Sequence, residues 1–298
     1  MDGVLNLDKP AGITSFQAVS KVRRITGAAK SGHAGTLDPF ATGVLPIMLG
    51  KATRIAEYFL DCSKQYRAQI TLGIETDTLD ITGSVTGEAE TGHITIEQIQ
   101  AAIPSFIGEI QQLPPVYSAI KINGKRMYQM ARGGLRPEPV SRMVAIYKIE
   151  IVSFCLPFLT LDVTCGRGTY IRSLARDLGL ALESRGHLSL LERTAYGPLG
   201  IGSAVSLNDI EQAGGENIIR LELQPMDIIL GHLPVVELTG DEAVLVAHGG
   251  SICRQNMSGI HSTVRAYDEG GKLVALLVPE QPTGWYKPRK VFADSGKP

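Results

Sequence analysis

The sequence predicts an α/β chain of the mixed, α+β kind with a small β-rich unit at its C-terminal end, and three observations carry this. From Tyr66 to Leu72 apolar Tyr66, Ala68, Ile70 and Leu72 alternate with Arg67, Gln69 and Thr71, the period of a half-buried strand. In GRGTYIRSLARDLG, from Gly166 to Gly179, a glycine turn opens onto Ile171, Leu174, Ala175 and Leu178 at helical spacing. After about residue 230 the texture changes to short strands and turns. A chain of 298 residues suits one large domain or two by the prior of about 150 residues per domain, and the change in texture divides it at 1–230 and 232–298.

Taken in order, Thr14 or Ser15 caps a helix that runs to about Thr26, with Val19, Val22 and Ile25 inward, Lys21, Arg23 and Arg24 outward, and Gly27 as the stop. A helix follows from about Ala52 to Leu60, then the strand at Tyr66, an acidic, turn-rich stretch from Glu75 to Glu90, and a helix from about Thr95 to Ile107. Strands are expected at 144–153 and 158–165. In the last segment strands are expected at 233–238, 251–254, 263–268, 272–278 and 289–293, with a brief helix near 241–247. The stretch from Leu113 to Val140 has glycines, prolines and little periodicity. It carries Lys121, Lys125, Arg126, Arg132 and Arg136, which marks a basic, pliable insertion at about 115–140.

Composition excludes several classes. Four dispersed cysteines with no CxxC pair speak against zinc, iron–sulfur and thioredoxin-like sites, and six scattered histidines against other metals. No GxSxG or HExxH occurs, and Gly50-Lys51 lacks the rest of a phosphate loop, since Ala52 replaces the magnesium-binding hydroxyl. The N-terminus lacks the apolar core of a signal peptide, and no stretch approaches the ~20 apolar residues of a membrane span. A soluble, cytoplasmic protein without cofactor or metal is expected. The net charge of −1 gives no global argument for nucleic acid. Locally, three acid-poor basic stretches stand out as one candidate phosphate-binding surface: residues 9–30, the insertion, and Lys287 to Lys290.

The segment GHAGTLDP, Gly32 to Pro39, fits neither a helix interior nor a strand and reads as a shaped loop presenting Asp38. Taken singly, Asp38 is equally well read as a turn former bonded to a nearby amide, and Arg172 as a helix-surface ion pair with Asp177 or Glu183. Tyr66 and Tyr170 are then core aromatics, and His33 a loop hydrogen-bonder.

The motifs in order change that reading. GVLNLDKPAGITSFQAV at 3–19, GHAGTLDPFATGVLPIMLGKAT at 32–53, KQYRAQITLGIETDTLD at 64–80, LPPVYSAIKINGKRMYQMAR at 113–132 and CGRGTYIRSLARDLG at 165–179 closely resemble the TruB family of tRNA pseudouridine-55 synthases. HLSLLER at 187–193 and KPRKVF at 287–292 extend the likeness nearly end to end. Ala34 and Phe16 stand where relatives often have threonine and histidine, and neither removes a catalytic group.

The resemblance implies a pseudouridine synthase fold, a mixed and largely antiparallel sheet flanked by helices, with 232–298 as a PUA-like RNA-binding domain. It implies isomerisation of one uridine in the T loop of tRNA by a monomeric enzyme that flips the base out and needs no cofactor, metal or obligatory protein partner. Asp38 matches the nucleophile, which attacks C6 of the base or C1′ of the sugar, Arg172 the arginine that pairs with it, and Tyr66 the tyrosine that stacks on uracil and helps remove the C5 proton. His33 matches the residue that fills the space of the extruded base, Leu191 an apolar wall, and Asp80 and Tyr170 positions near the nucleotide. Lys9 matches the lysine of the family's KPxG turn, and the insertion with Lys121, Lys125 and Arg126 a thumb that closes on RNA. The glycines of GHAGTLDP would let backbone approach the flipped nucleotide. Two other readings stay open: an RNA-binding or tRNA-folding protein with secondary catalysis, and a guide-RNA-dependent synthase.

Overall fold

In a computed structural model, the described residues are 1–293 apart from 119–120, 123–124, 128–129, 131–137, 213–216, 218, 220–221, 258 and 282. The architecture is built on one large sheet, with eleven strands among the described residues. Its main path runs Val205–Ser206, Gly3–Lys9, Thr42–Leu49, Gly186–Tyr196, Lys64–Leu72, Phe158–Cys165, Arg142–Cys155 and Gly108–Gln112. Gly3–Lys9 lies parallel to Val205–Ser206, and Gly186–Tyr196 parallel to Thr42–Leu49; the other pairs along this path are antiparallel. The sheet is therefore mixed and largely antiparallel.

Both faces of its centre are covered, and the strand sequences show why. In VLNL, Leu5 and Leu7 point to one core while Val4 points to the other, so a nearly continuous apolar run replaces simple alternation. The first core takes Ala18, Val19 and Val22 from helix Ser15–Thr26 and Ile171, Leu174, Ala175 and Leu178 from helix Ile171–Ala181. Thr14 caps the first of these in a capping box with Gln17, and Gly27 ends it at φ +61°. The expected single helices at 52–60 and 95–107 are each divided. A 3₁₀ turn Gly50–Ile55 precedes helix Ala56–Leu60, and helix Ile96–Ala102 passes into a 3₁₀ turn Ile103–Phe106 that contains Pro104.

The C-terminal segment forms a five-stranded sheet in the order Val235–Glu237, Val264–Tyr267, Leu273–Glu280, Trp285–Val291, Ile252–Cys253, with helix Gly240–Ala247 against it. Its last long strand begins earlier than expected, at Trp285, because Trp285 and Tyr286 pair with both neighbours. Leu273, Leu276 and Phe292 share the second core with Met48, Ile55, Phe59 and Tyr196. Polar contacts close the same joint: Lys51 Nζ donates to the Phe292 carbonyl at 2.8 Å, and Lys290 and Arg289 face Glu57 at 2.9 and 3.6 Å. Lys287 pairs with Glu280. In this structure the third basic stretch is thus engaged with carboxylates.

Candidate active site

The site is built around the chain from His33 to Ala41. Ser31–His33 is a short strand against Thr42–Leu49, so the expected loop begins only after His33. Asp38 is clamped on both sides through backbone. The buried Ser15 hydroxyl accepts from the Leu37 N–H at 2.9 Å and donates to the Leu37 carbonyl at 3.1 Å. On the other side the Pro39 carbonyl accepts from the Gly12 N–H at 2.8 Å and from Lys9 Nζ at 3.4 Å. Lys9 has no exposed surface and also donates to the carbonyls of Pro10 and Ile13. Burial lowers its ammonium to about 8, and its position is structural, beneath the loop that presents Asp38.

Arg172 enters from the first turn of helix Ile171–Ala181, with a side chain only 5% exposed. Its Nη2 donates to Asp38 Oδ1 at 3.2 Å and its Nε lies 2.9 Å from Asp38 Oδ2, a close ion pair with one hydrogen bond. Nη2 also donates to the Tyr117 carbonyl at 2.9 Å, and Nη1 to the Thr78 carbonyl at 3.0 Å and to Asp80 Oδ2 at 3.4 Å. Asp80 is held in turn by the Thr78 hydroxyl at 2.8 Å, the Thr82 N–H at 3.0 Å and the Thr82 hydroxyl. Asp38 remains 32% exposed, so one side of the carboxylate faces open space. Burial pushes its carboxyl above the ordinary value; Arg172 pulls it back, Asp80 adds to the rise, and Lys9 opposes it.

Tyr66 is half-buried on the central strand Lys64–Leu72, opposite Val163 on one neighbour and Arg193 on the other. Burial raises its hydroxyl, and the charge of Arg193 on the neighbouring strand lowers it. Tyr170 sits at the start of the Arg172 helix, its backbone bracketed by Gln112, which accepts from its N–H at 2.8 Å and donates to its carbonyl at 3.0 Å. Burial raises the Tyr170 hydroxyl, while its bond to Ser118 lowers it. The charge of Asp38 raises both hydroxyls. Leu191 is buried in the first core, opposite Ala68. His33 is half-buried with Nδ1 unpartnered; burial and then Arg193 lower its pKa, so the ring is neutral at pH 7.

Several local readings change. Arg172 is not a surface pair with Asp177 or Glu183; Arg176 takes Asp177, at 2.7 Å. Asp38 is not merely a turn former, because its carboxylate is taken by Arg172. Gly35 has φ +65°, and a Cβ there lies 3.0 Å from the Tyr196 ring, so its packing against protein accounts for the glycine without RNA. Lys121–Ile122 and Lys125–Arg126 form a two-stranded ribbon, and the side chains of Lys121, Lys125 and Arg126, like Arg132 and Arg136, lie outside the described residues. Sequence reasoning passed over Ser15 and Arg193. The only signal for either was its place inside a long motif, TS after the KPAG turn and the arginine of LLER. Among the described residues no set of three His, Cys, Asp or Glu side chains forms a metal site, and no helix is long and apolar enough to cross a membrane.

The fold and the Asp38–Arg172 pit define a pseudouridylate synthase. A chain from the structure of an H/ACA RNP bound to a substrate RNA containing 2′-deoxyuridine superposes with a TM-score of 0.72 at 29% identity, covering 98% of this chain and 85% of that one. A chain from a Cbf5-Nop10-Gar1 complex gives 0.69 at 30% identity, covering 94% and 79%. Residues 23–171 match the TruB family pseudouridylate synthase N-terminal domain. The tRNA pseudouridine synthase B of Dehalococcoides mccartyi is 43% identical over 292 residues, 98% of this chain and 97% of that protein. That of Aromatoleum aromaticum is 44% identical over 270 residues, 91% and 86% of the two chains. The chain belongs to the TruB family.

Proposed function

We propose that this protein isomerises uridine 55 in the T loop of tRNA to pseudouridine, as a cytoplasmic monomer without cofactor. The Asp38–Arg172 pair carries the reading: a carboxylate held by a buried guanidinium, with its free side open and Tyr66 nearby. Relatives named as tRNA pseudouridine synthase B match nearly end to end and support tRNA as the substrate. Residues 232–298 would serve as a PUA-like RNA-binding domain and 115–140 as the thumb. The stacked target base must be extruded, at a cost of about a few kcal/mol offset by RNA contacts.

Asp38, ionised beside Arg172, attacks C1′ or C6, and the C1′–N1 bond breaks with its electron pair on the base. Uracil turns and C5 bonds to C1′; the bond that Asp38 formed breaks, from C1′ as C5 displaces it or from C6 afterwards, and its pair returns to the carboxylate, leaving N1=C6 and one hydrogen on C5. That proton is removed with the help of Tyr66 as C5=C6 re-forms, and a proton returns to N1, so the atoms balance without a co-reactant. The test is tritium release from a C5-tritiated T-arm transcript: Asp38→Asn should abolish it while tRNA binding persists. Full release by that variant overturns the reading. The RNP neighbour favours one second reading, guide dependence. Turnover on a bare T-arm hairpin rules that out.

A further inference from the structure

Arg193 is a buried cation with 1% of its surface exposed and no carboxylate against it among the described residues. Its Nε donates to the Val44 carbonyl at 2.6 Å and its Nη2 to the Gly35 carbonyl at 3.2 Å; these two oxygens flank the loop that carries Asp38. The guanidinium lies 4.9 Å from the centre of the Tyr196 ring. Its backbone is pinned as well: Arg193 pairs with Gly43, where a Cβ would stand 2.3 Å from the Arg193 carbonyl oxygen, and with Tyr66 on the other side. Tyr66 stands directly opposite it across the strand pair, so the two side chains project from the same face of the sheet.

We infer that Arg193 is a positioning residue for the reaction, joining the loop of the nucleophile to the Tyr66 hydroxyl; the inference rests on the role given to Tyr66 above. Guanidinium only donates, so in a bond between the two the Tyr66 oxygen is the acceptor and the hydroxyl proton is directed elsewhere. The cation also opposes the rise that burial imposes on the Tyr66 hydroxyl. The groups that face Tyr66 are Arg193 from one neighbouring strand, Cys165 from the other and Asp38 from the loop, and of these Arg193 alone is a cation. Stability alone does not call for a charge at this place, since an apolar side chain of similar volume often serves a buried site as well. One guanidinium therefore sets two catalytic groups on different elements in a common frame.

The test is a double-mutant cycle on full-length protein with a T-arm transcript, reading C5-tritium release and the C5-deuterium isotope effect for Arg193→Met, Tyr66→Phe and both together. Arg193→Met is expected to lower kcat about 100-fold with KM nearly unchanged, to raise the isotope effect, and to add less than about threefold to the loss in Tyr66→Phe. Activity within about threefold of wild type, or losses that multiply with an unchanged isotope effect, overturns the inference. If Tyr66→Phe itself releases tritium at the wild-type rate, the role of Tyr66 has failed, a result distinct from Arg193→Met being silent while Tyr66→Phe is impaired. Should Arg193→Met not fold, the cycle is run with Arg193→Lys, whose single ammonium cannot span the Val44, Gly35 and Tyr66 oxygens. The same criteria then decide.

Discussion

Replacing Arg172 by methionine removes the cation that contacts both Asp38 and Asp80. Asp80 is 5% exposed and loses its one charged partner, keeping only hydroxyl and amide donors. Asp38 is 32% exposed and recovers part of its solvation from water. Removing one member of a buried pair costs about 3–5 kcal/mol, and the access of Asp38 to water puts the expectation near about 3 kcal/mol at pH 7. At about 2–4 °C per kcal/mol that is a Tm lower by about 6–12 °C. The sign with pH follows from linkage. Without the guanidinium the Asp38 carboxyl, already raised by burial, lies further above its unfolded value, so the folded variant takes up protons first as pH falls. The gap from wild type is therefore full at neutral pH and narrows toward about pH 4. Thermal and urea unfolding of both proteins across this range make the measurement. A gap below about 1 kcal/mol, or one that does not change with pH, refutes the argument that Arg172 compensates buried charge.

Lys9→Met removes a cation that lowers Asp38, so the acid limb of the tritium-release profile should move to higher pH; an unmoved limb would separate Lys9 from the nucleophile. Because Lys9 has a folded pKa of about 8 against 10.5 unfolded, wild type should also gain stability relative to this variant as pH rises between those values, read by urea unfolding. Gly35→Ala forces a side chain into φ +65° and to within 3.0 Å of Tyr196, and should cost about 1–3 kcal/mol in the same assay. Substituting Lys121, Lys125 and Arg126 together should weaken tRNA binding and reduce the slope of log K against log salt by about 2–3. An unchanged slope means the insertion does not touch phosphate.

The sequence made the scaffold legible where the physical signal is local. Alternation at 66–72, the Thr14 cap with Gln17, and Gly27 at the end of the helix each depend on neighbours within a few residues, and each is present in the structure. The charge network was not legible on those terms. Arg172 has Asp177 and Glu183 near it in sequence, yet its partners Asp38 and Asp80 are 134 and 92 residues away and meet it only through the sheet. Arg193 sits in a strand as LLER, where a charged pair reads as a solvated edge; parallel pairing with Thr42–Leu49 buries it instead. Only the long ordered motifs pointed to these positions, because a motif records the folded context that spacing does not.

The charged side chains that the fold buries below Asp38 are unbalanced, and this bears on the proposed chemistry. Among the described residues, those almost wholly withdrawn from water are the cations Lys9, Lys64, Arg172 and Arg193 and the single carboxylate Asp80. Carbonyl oxygens satisfy the cations that lack a carboxylate: Lys64 donates to Leu60 and Cys62, as Lys9 and Arg193 do to their own sets. Carbonyl dipoles solvate an ammonium without cancelling its charge, so the pit stays positive even with Asp38 ionised. Breaking C1′–N1 puts negative charge on uracil in a place sheltered from water, where fixed cations act more strongly than in solvent and need not reorganise. Under the proposed mechanism, charge that costs stability in the resting protein would favour the departing base as it becomes an anion.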